Sequence, residues 1–226
     1  MFVDSHCHLT FPELHQRIDA VRADMAAAQV DRALVICTTL EEFDAVHALA
    51  MAHDNFWCTA GVHPDTEGLE EPDFERLRSL ATMPRVVGIG ETGLDYYRLN
   101  GRSIADMAWQ RERFAVHLAV ARAVDKPLVI HTRNASDDTV HMIGAAQSEA
   151  GRALTGVFHC FTETADVARA ALDLGFMISF SGILTFKTAQ AIRDVAAFVP
   201  LDRCLIETDS PYLAPVPHLG KPNSPA

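Results

Sequence analysis

The chain has 226 residues, 49% hydrophobic and 22% charged, ordinary values for a globular protein with a sizeable core. Its formal net charge of -11 excludes a protein that coats nucleic acid through overall charge, so a nucleic-acid enzyme would need a local positive field, such as bound metal ions supply. No apolar run is long enough to span a bilayer, and Asp4 within the opening apolar stretch, without a basic start, argues against a signal peptide.

Apolar, β-rich runs recur along the chain: FVDSH, RALVICT, NFWCTAGVH, RVVGIGE, PLVIH, TGVFHC, FMISF and RCLIETD. Between them the apolar residues take a helical period, over 17–29, 41–53, 73–81, 103–124, 136–150, 164–174 and 188–198. Apolar strands alternating with helices imply a parallel sheet covered by helices. Eight strands predict an α/β fold, a (β/α)8 TIM barrel forming a single domain over 1–226. The alternative is an open doubly wound sheet, and the lack of a GxGxxG after the first strand speaks against its dinucleotide-binding form. The closing stretch SPYLAPVPHLGKPNSPA is too proline-rich for an ordinary helix, so the final C-terminal helix of the barrel is expected to be missing. Its loss is expected to expose apolar surface.

The five cysteines, Cys7, Cys37, Cys58, Cys160 and Cys204, form no CxxC pair and sit in or beside apolar runs. With no export signal, they read as reduced structural thiols of a cytoplasmic protein.

Polar residues gather where the apolar runs stop. His6 and His8 end the first strand, facing one side because strand residues alternate. His63 follows the third strand, Glu91 ends the fourth, His131 the fifth, His159 the sixth and Asp209 the eighth. In a TIM barrel these C-terminal ends meet at one mouth. A lone histidine there is usually a hydrogen-bonded core residue. Five of the eleven histidines beside a Glu and an Asp are hard to bury without a cation. The ligands are imidazole and carboxylate, which suits Zn, Mn, Mg, Ni, Fe or Co, and they are too many for one tetrahedral ion. The expected arrangement is two divalent metal ions, one on His6, His8 and Asp209, the other on His131 and His159, with Glu91 bridging. Two carboxylates would offset only half of the four charges, leaving a cationic mouth for an anionic ester. The remaining histidines, His15, His47, His53, His117, His141 and His218, read as solvated or helix-face residues.

At these positions the sequence resembles the TatD family of metal-dependent hydrolases, a branch of the amidohydrolase-like barrels. The resemblance rests on DSHCHL, GVHP, GETGLDYY, HTR, HCF, SFSGILTF and ETDSPYLAP, in family order from Met1 to the C-terminus. It implies a deoxyribonuclease, with 3′-exonuclease action on single-stranded DNA, and the metal ligands His6, His8, Glu91, His131, His159 and Asp209. The family pattern has an Arg-Gly pair before its Asn-x-Pro. Here Leu219 stands where the Arg is expected, and the chain reads as shortened at its C-terminus.

The expected chemistry is phosphodiester hydrolysis by a metal-activated water, with Asp209 accepting its proton. His63 is assigned to phosphate contact or leaving-group protonation, or else to capping backbone groups beside Pro64. Arg133 reads as a phosphate clamp and Lys187 as a phosphate contact after the seventh strand, each with a solvated surface cation as the plain alternative. Tyr96 and Tyr97 could stack a base but are expected to pack, and Asp4 could hydrogen-bond a metal-bound histidine. The Glu67 to Glu75 run reads as a solvated helix start. Hydrolysis of another ester, such as an aminoacyl-tRNA, and a metal-binding protein without turnover are the competing functions. The partners expected are DNA as substrate and no stable protein or membrane, with the chain acting as a monomer.

Overall fold

The computed structural model describes residues 1–151 and 153–226. Its strands are β1 (Phe2–Cys7), β2 (Val30–Val35), β3 (Phe56–Ala60), β4 (Val86–Asp95), β5 (Leu128–Arg133), β6 (Gly156–Phe158), β7 (Met177–Phe180) and β8 (Cys204–Ile206). All pair in parallel in the order β1 to β8. A bridge between Cys7 and Ser210 closes the ring, supported by His8 N–H to the Ser210 carbonyl (2.8 Å) and Asp209 N–H to the His6 carbonyl (2.9 Å). The fold is the (β/α)8 TIM barrel that the alternation predicts.

The helices are α1 (Pro12–His15), α2 (Ile18–Ala27), α3 (Phe43–Ala52), α4 (Phe74–Ala81), α5 (Ala108–Val124), α6 (Ser136–Ala150), α7 (Ala165–Asp173) and α8 (Gln190–Phe198). Local chemistry sets their ends. Asp73 caps α4 by accepting from Arg76 N–H (2.8 Å), and Thr164 caps α7 through Val167 N–H. The short α1 falls outside the periodic pattern. Its Pro12 supplies the fixed φ of a first helical position. No helix follows β8 among the described residues, and Val3 and Ile206 on the two closing strands are half exposed. None of the helices described is long and apolar enough to cross a membrane.

Apolar burial drives the layering. Phe43, Phe56, Phe114, Phe158 and Phe176 are fully buried, each worth about 1.5–3 kcal/mol against exposure. A second small cluster, Ile36, Val129 and Val157 with Leu34, Met177 and Leu205 against it, joins strands across the ring and lines the barrel floor.

One boundary departs from the sequence reading in a way that matters. β4 does not stop at Glu91 but runs on to Asp95, with a register break between Ile89 and Thr92. Such a break re-aims a strand residue, here Glu91. Gly93 makes the continuation possible: a Cβ there would collide with the His131 carbonyl oxygen.

Candidate metal centre

Glu91 lies at the centre of the barrel mouth, its side chain 4% exposed. Its Oε2 is 3.3 Å from His6 Nε2. Its Oε1 lies 3.4 Å from His63 Nε2, 3.2 Å from His131 Nδ1 and 2.8 Å from His159 Nε2. Asp209 completes one side, its Oδ1 3.3 Å from His8 Nε2 and 3.6 Å from His6 Nε2. Asp209 has φ 54°, a left-handed conformation that Asp tolerates better than most residues. Six strands or strand ends thus deliver their polar residues to one point.

The donor atoms form three clusters, each drawn together within 4.8 Å: His6–His8–Asp209, His63–Glu91–His131 and His6–His159–Glu207. The first matches the expected ligand set for one ion. In the second, His63 keeps company with Glu91 and His131, while His159 sits with His6 and with Glu207, a residue the sequence reading did not select.

Hydrogen bonds sort the histidines by role. His131 Nε2–H donates to Asp95 Oδ2 (2.9 Å), which leaves the Nδ1 lone pair facing Glu91. His159 Nδ1–H donates to Glu207 Oε1 (3.3 Å), leaving Nε2 facing Glu91. His63 differs. Its Nδ1 accepts from Asp65 N–H (3.1 Å), so the neutral ring carries its proton on Nε2 and presents a donor. His63 thus caps a backbone group beside Pro64, the alternative reading of this residue.

The electrostatics follow from close packing. Burial opposes charge on Glu91, yet His159, His63 and His6 outweigh it and hold its pKa well below the ordinary value. Burial likewise opposes charging His159, and Glu91 and Glu207 overcome it, raising its pKa well above normal. His8 is raised through its bond to Asp209 despite burial. His6 and His63 stay low because burial prevails.

The donor set fits divalent ions. His6 and His8 bring their Nε2 atoms within 3.3 Å of each other, an approach that a shared cation satisfies. Buried His6 Nδ1 and His8 Nδ1 lack hydrogen-bond partners among the described residues. One expectation needs correction. Four carboxylates surround these imidazoles, since Asp95 and Glu207 join Glu91 and Asp209. They would offset the four charges of two divalent ions, so the mouth would not be the cationic pocket expected with two carboxylates.

Other residues also settle. Asp4 has no hydrogen bond or ion pair with an imidazole among the described residues. It accepts from His6 N–H, Thr208 N–H and Thr208 Oγ1–H (2.6 Å), tying β1 to the segment after β8. Burial pushes its carboxyl up to about 7. Asn223 of the Asn-x-Pro donates to the Thr208 carbonyl (2.9 Å) and steadies the same segment, while Leu219 is exposed. Arg133 is exposed at the end of β5, with its guanidinium 3.5 Å from the Tyr97 ring centroid. Tyr97 is exposed rather than packed. Tyr96 packs and donates to Asp138 (2.7 Å). Lys187 is exposed in the turn after β7, without a hydrogen bond or ion pair among the described residues. Glu71 leaves the acidic run to pair with buried Arg113, whose Nη1–H donates to the His63 carbonyl (2.7 Å). His117 is not solvated. It is fully buried, donating from Nδ1 to the Arg113 carbonyl and accepting Val62 N–H at Nε2 (3.0 Å). It holds the backbone beside His63. The five cysteines are free, as expected, and burial pushes the Cys58 thiol up to about 12.

The sequence profile of the family described as TatD related DNase matches residues 3–226. The chain belongs to the TatD family. It is 46% identical over 227 residues to the metal-dependent hydrolase YcfH of Escherichia coli K12, covering 99% of this chain and 83% of that protein. A 3′-5′ ssDNA/RNA exonuclease TatD of Enterobacter lignolyticus is 34% identical over 223 residues, covering 98% of this chain and 83% of that one. The crystal structure of YJJV, a TatD homologue from Escherichia coli K12, superposes with a TM-score of 0.89 at 29% identity, over 99% of this chain and 85% of the other. This TatD-family chain is a metal-dependent hydrolase on an eight-stranded barrel, with residue clusters able to hold metal ions.

Proposed function

We propose that this TatD-family hydrolase is a deoxyribonuclease that removes nucleotides from the 3′ end of single-stranded DNA. The carrying observation is the convergence of four imidazoles on the two oxygens of Glu91, with Asp209 and His8 alongside. This arrangement suits two ions held about a shared carboxylate. The relative named as an exonuclease supports the choice of substrate.

In this reading His6, His8 and Asp209 would hold one ion and His131 and His159 the other, with Glu91 shared by both. Held there, divalent ions would supply a water acidified towards a pKa of about 7 and an offset to charge on the phosphate. Asp209 accepts the proton of the attacking water. His63, with its proton fixed on Nε2 by Asp65 N–H, donates to a phosphate oxygen or to the leaving oxygen. Arg133, resting on the exposed Tyr97 ring, forks onto a phosphate along the strand, and Lys187 contacts a more distant one. We place this reaction in the cytoplasm, where free thiols are stable, carried out by a monomer with DNA as its partner.

The test is degradation of end-labelled single-stranded DNA with EDTA, and then with Mg or Mn restored. Cleavage that EDTA abolishes, that metal restores and that Glu91→Ala removes supports the nuclease. No cleavage of DNA, together with metal-dependent hydrolysis of aminoacyl esters, would replace it with an acyl hydrolase. Stoichiometric metal without turnover on either substrate would replace it with a binding protein.

A further inference from the structure

His6 and His159 come from β1 and the end of β6 and stack face to face, with ring centroids 3.8 Å apart and 7° between planes. Their Nε2 atoms address different oxygens of Glu91, Oε2 at 3.3 Å for His6 and Oε1 at 2.8 Å for His159. Glu207 also approaches both rings. Its side chain is 0% exposed, and its Oε1 lies 3.3 Å from His159 Nδ1. One ring nitrogen of His6, one of His159 and one Glu207 oxygen fall within 4.8 Å of each other. Two atoms of this group are buried and unpartnered among the described residues, the donor-capable His6 Nδ1 and the acceptor Glu207 Oε2. Leaving such groups unpaired is unfavourable. A histidine that offers its Nε2 lone pair carries its proton on Nδ1, so His6 needs an acceptor there, and Glu207, grouped with this ring, has an unpaired oxygen.

We infer that Glu207 is a shared positioning residue, whose single carboxylate accepts the Nδ1–H of both His159 and His6 and so aims both Nε2 atoms at Glu91. The inference rests on reading the mouth as a two-ion centre. His6 belongs to the half with His8 and Asp209, and His159 to the half completed by His131. One carboxylate therefore ties the two halves together. Asp95 offers the contrast: the imidazole it holds is His131, on one side only.

The test is zinc binding by the full chain, stripped of metal and titrated against a chromogenic chelator, with no substrate present. Wild type is expected to bind two tight equivalents. Glu207→Ala is expected to weaken both, by about 10–100-fold. Glu207→Gln keeps one acceptor oxygen and is expected to restore one equivalent. Asp95→Asn is expected to weaken only one. Glu207→Leu, which keeps the volume, replaces the Ala variant if that one does not fold by circular dichroism. In the zinc-loaded wild type, 15N NMR is expected to show His6 and His159 both as Nδ1–H tautomers. Weakening of one equivalent alone by Glu207→Ala, or an Nε2–H tautomer at His6, would overturn the sharing while leaving the two-ion centre intact. Fewer than two equivalents in wild type would overturn the two-ion reading itself, and the sharing with it.

Discussion

The two ends of the barrel interior are built from the same strands and differ completely in what they bury. At the floor, Leu34, Val129, Val157, Met177 and Leu205 gather around Ile36, and apolar contact suffices. At the mouth, the strand ends hold five imidazoles and four carboxylates, most of them hidden from water. Burying one ionised group without a partner is strongly unfavourable. The mouth avoids this by making every charged group the partner of another, with donor atoms placed where cations would complete the balance. The floor is held by apolar contact, and changes there are expected to alter stability. The mouth is held by charge pairing, and changes there alter chemistry.

The largest break in that contrast is Glu91→Gln. It keeps the volume but removes the charge that four imidazoles face. Turnover is expected to fall by more than the about 100-fold typical of an outer hydrogen-bond partner, with the melting temperature of the metal-free protein changed far less. A drop of less than tenfold in steady-state rate would put the catalytic centre elsewhere.

Acid comes next. Burial lowers the His117 pKa from 6.5 to about 4, so the folded state keeps this ring neutral. Between pH 6.5 and pH 4 the unfolded chain binds the extra proton and the folded one does not. Stability from this group is therefore full above 6.5 and falls, by about 3 kcal/mol, as pH drops to 4. Urea unfolding of wild type and His117→Gln checks it. The advantage of wild type at pH 7 is expected to shrink at pH 4.5, and a constant difference would remove the His117 assignment.

Asp95→Asn sharpens the contrast from the mouth side. Losing the carboxylate that orients His131 is expected to lower metal affinity by about 10–100-fold, read by chelator competition. Ile36→Val sharpens it from the floor side. It is expected to destabilise the fold by about 0.5–1.5 kcal/mol in urea and leave metal affinity and turnover unchanged. Loss of metal binding in that variant would show that floor and mouth are coupled.

The candidate ligands were legible because apolar runs stop abruptly in His, Glu or Asp, and a barrel brings such ends together. Glu207 was hidden in plain sight, two residues before Asp209 in the same run, where alternation would have pointed to it. Asp95 was missed because GETGLDYY reads as a loop, whereas the break near Glu91 and the close pass of Gly93 extend the strand. His117 lies inside a regular helical pattern and looks like a surface position. Only the packing of α5 against the turn after β3 makes it an acceptor for Val62 N–H.

The sequence by itself determined the strand–helix alternation, the barrel and the five histidines, Glu91 and Asp209 as candidates for its mouth. These depend on local periodicity and on which side chains interrupt apolar runs. The tertiary structure alone decided which ring nitrogen each histidine presents, because that choice belongs to partners far away in the chain: Asp95 for His131, Glu207 for His159, Asp65 N–H for His63. It also decided the charge balance, by bringing Asp95 and Glu207 beside Glu91 and Asp209. Coulomb interactions depend on distance in space, and spacing along the chain carries no measure of it.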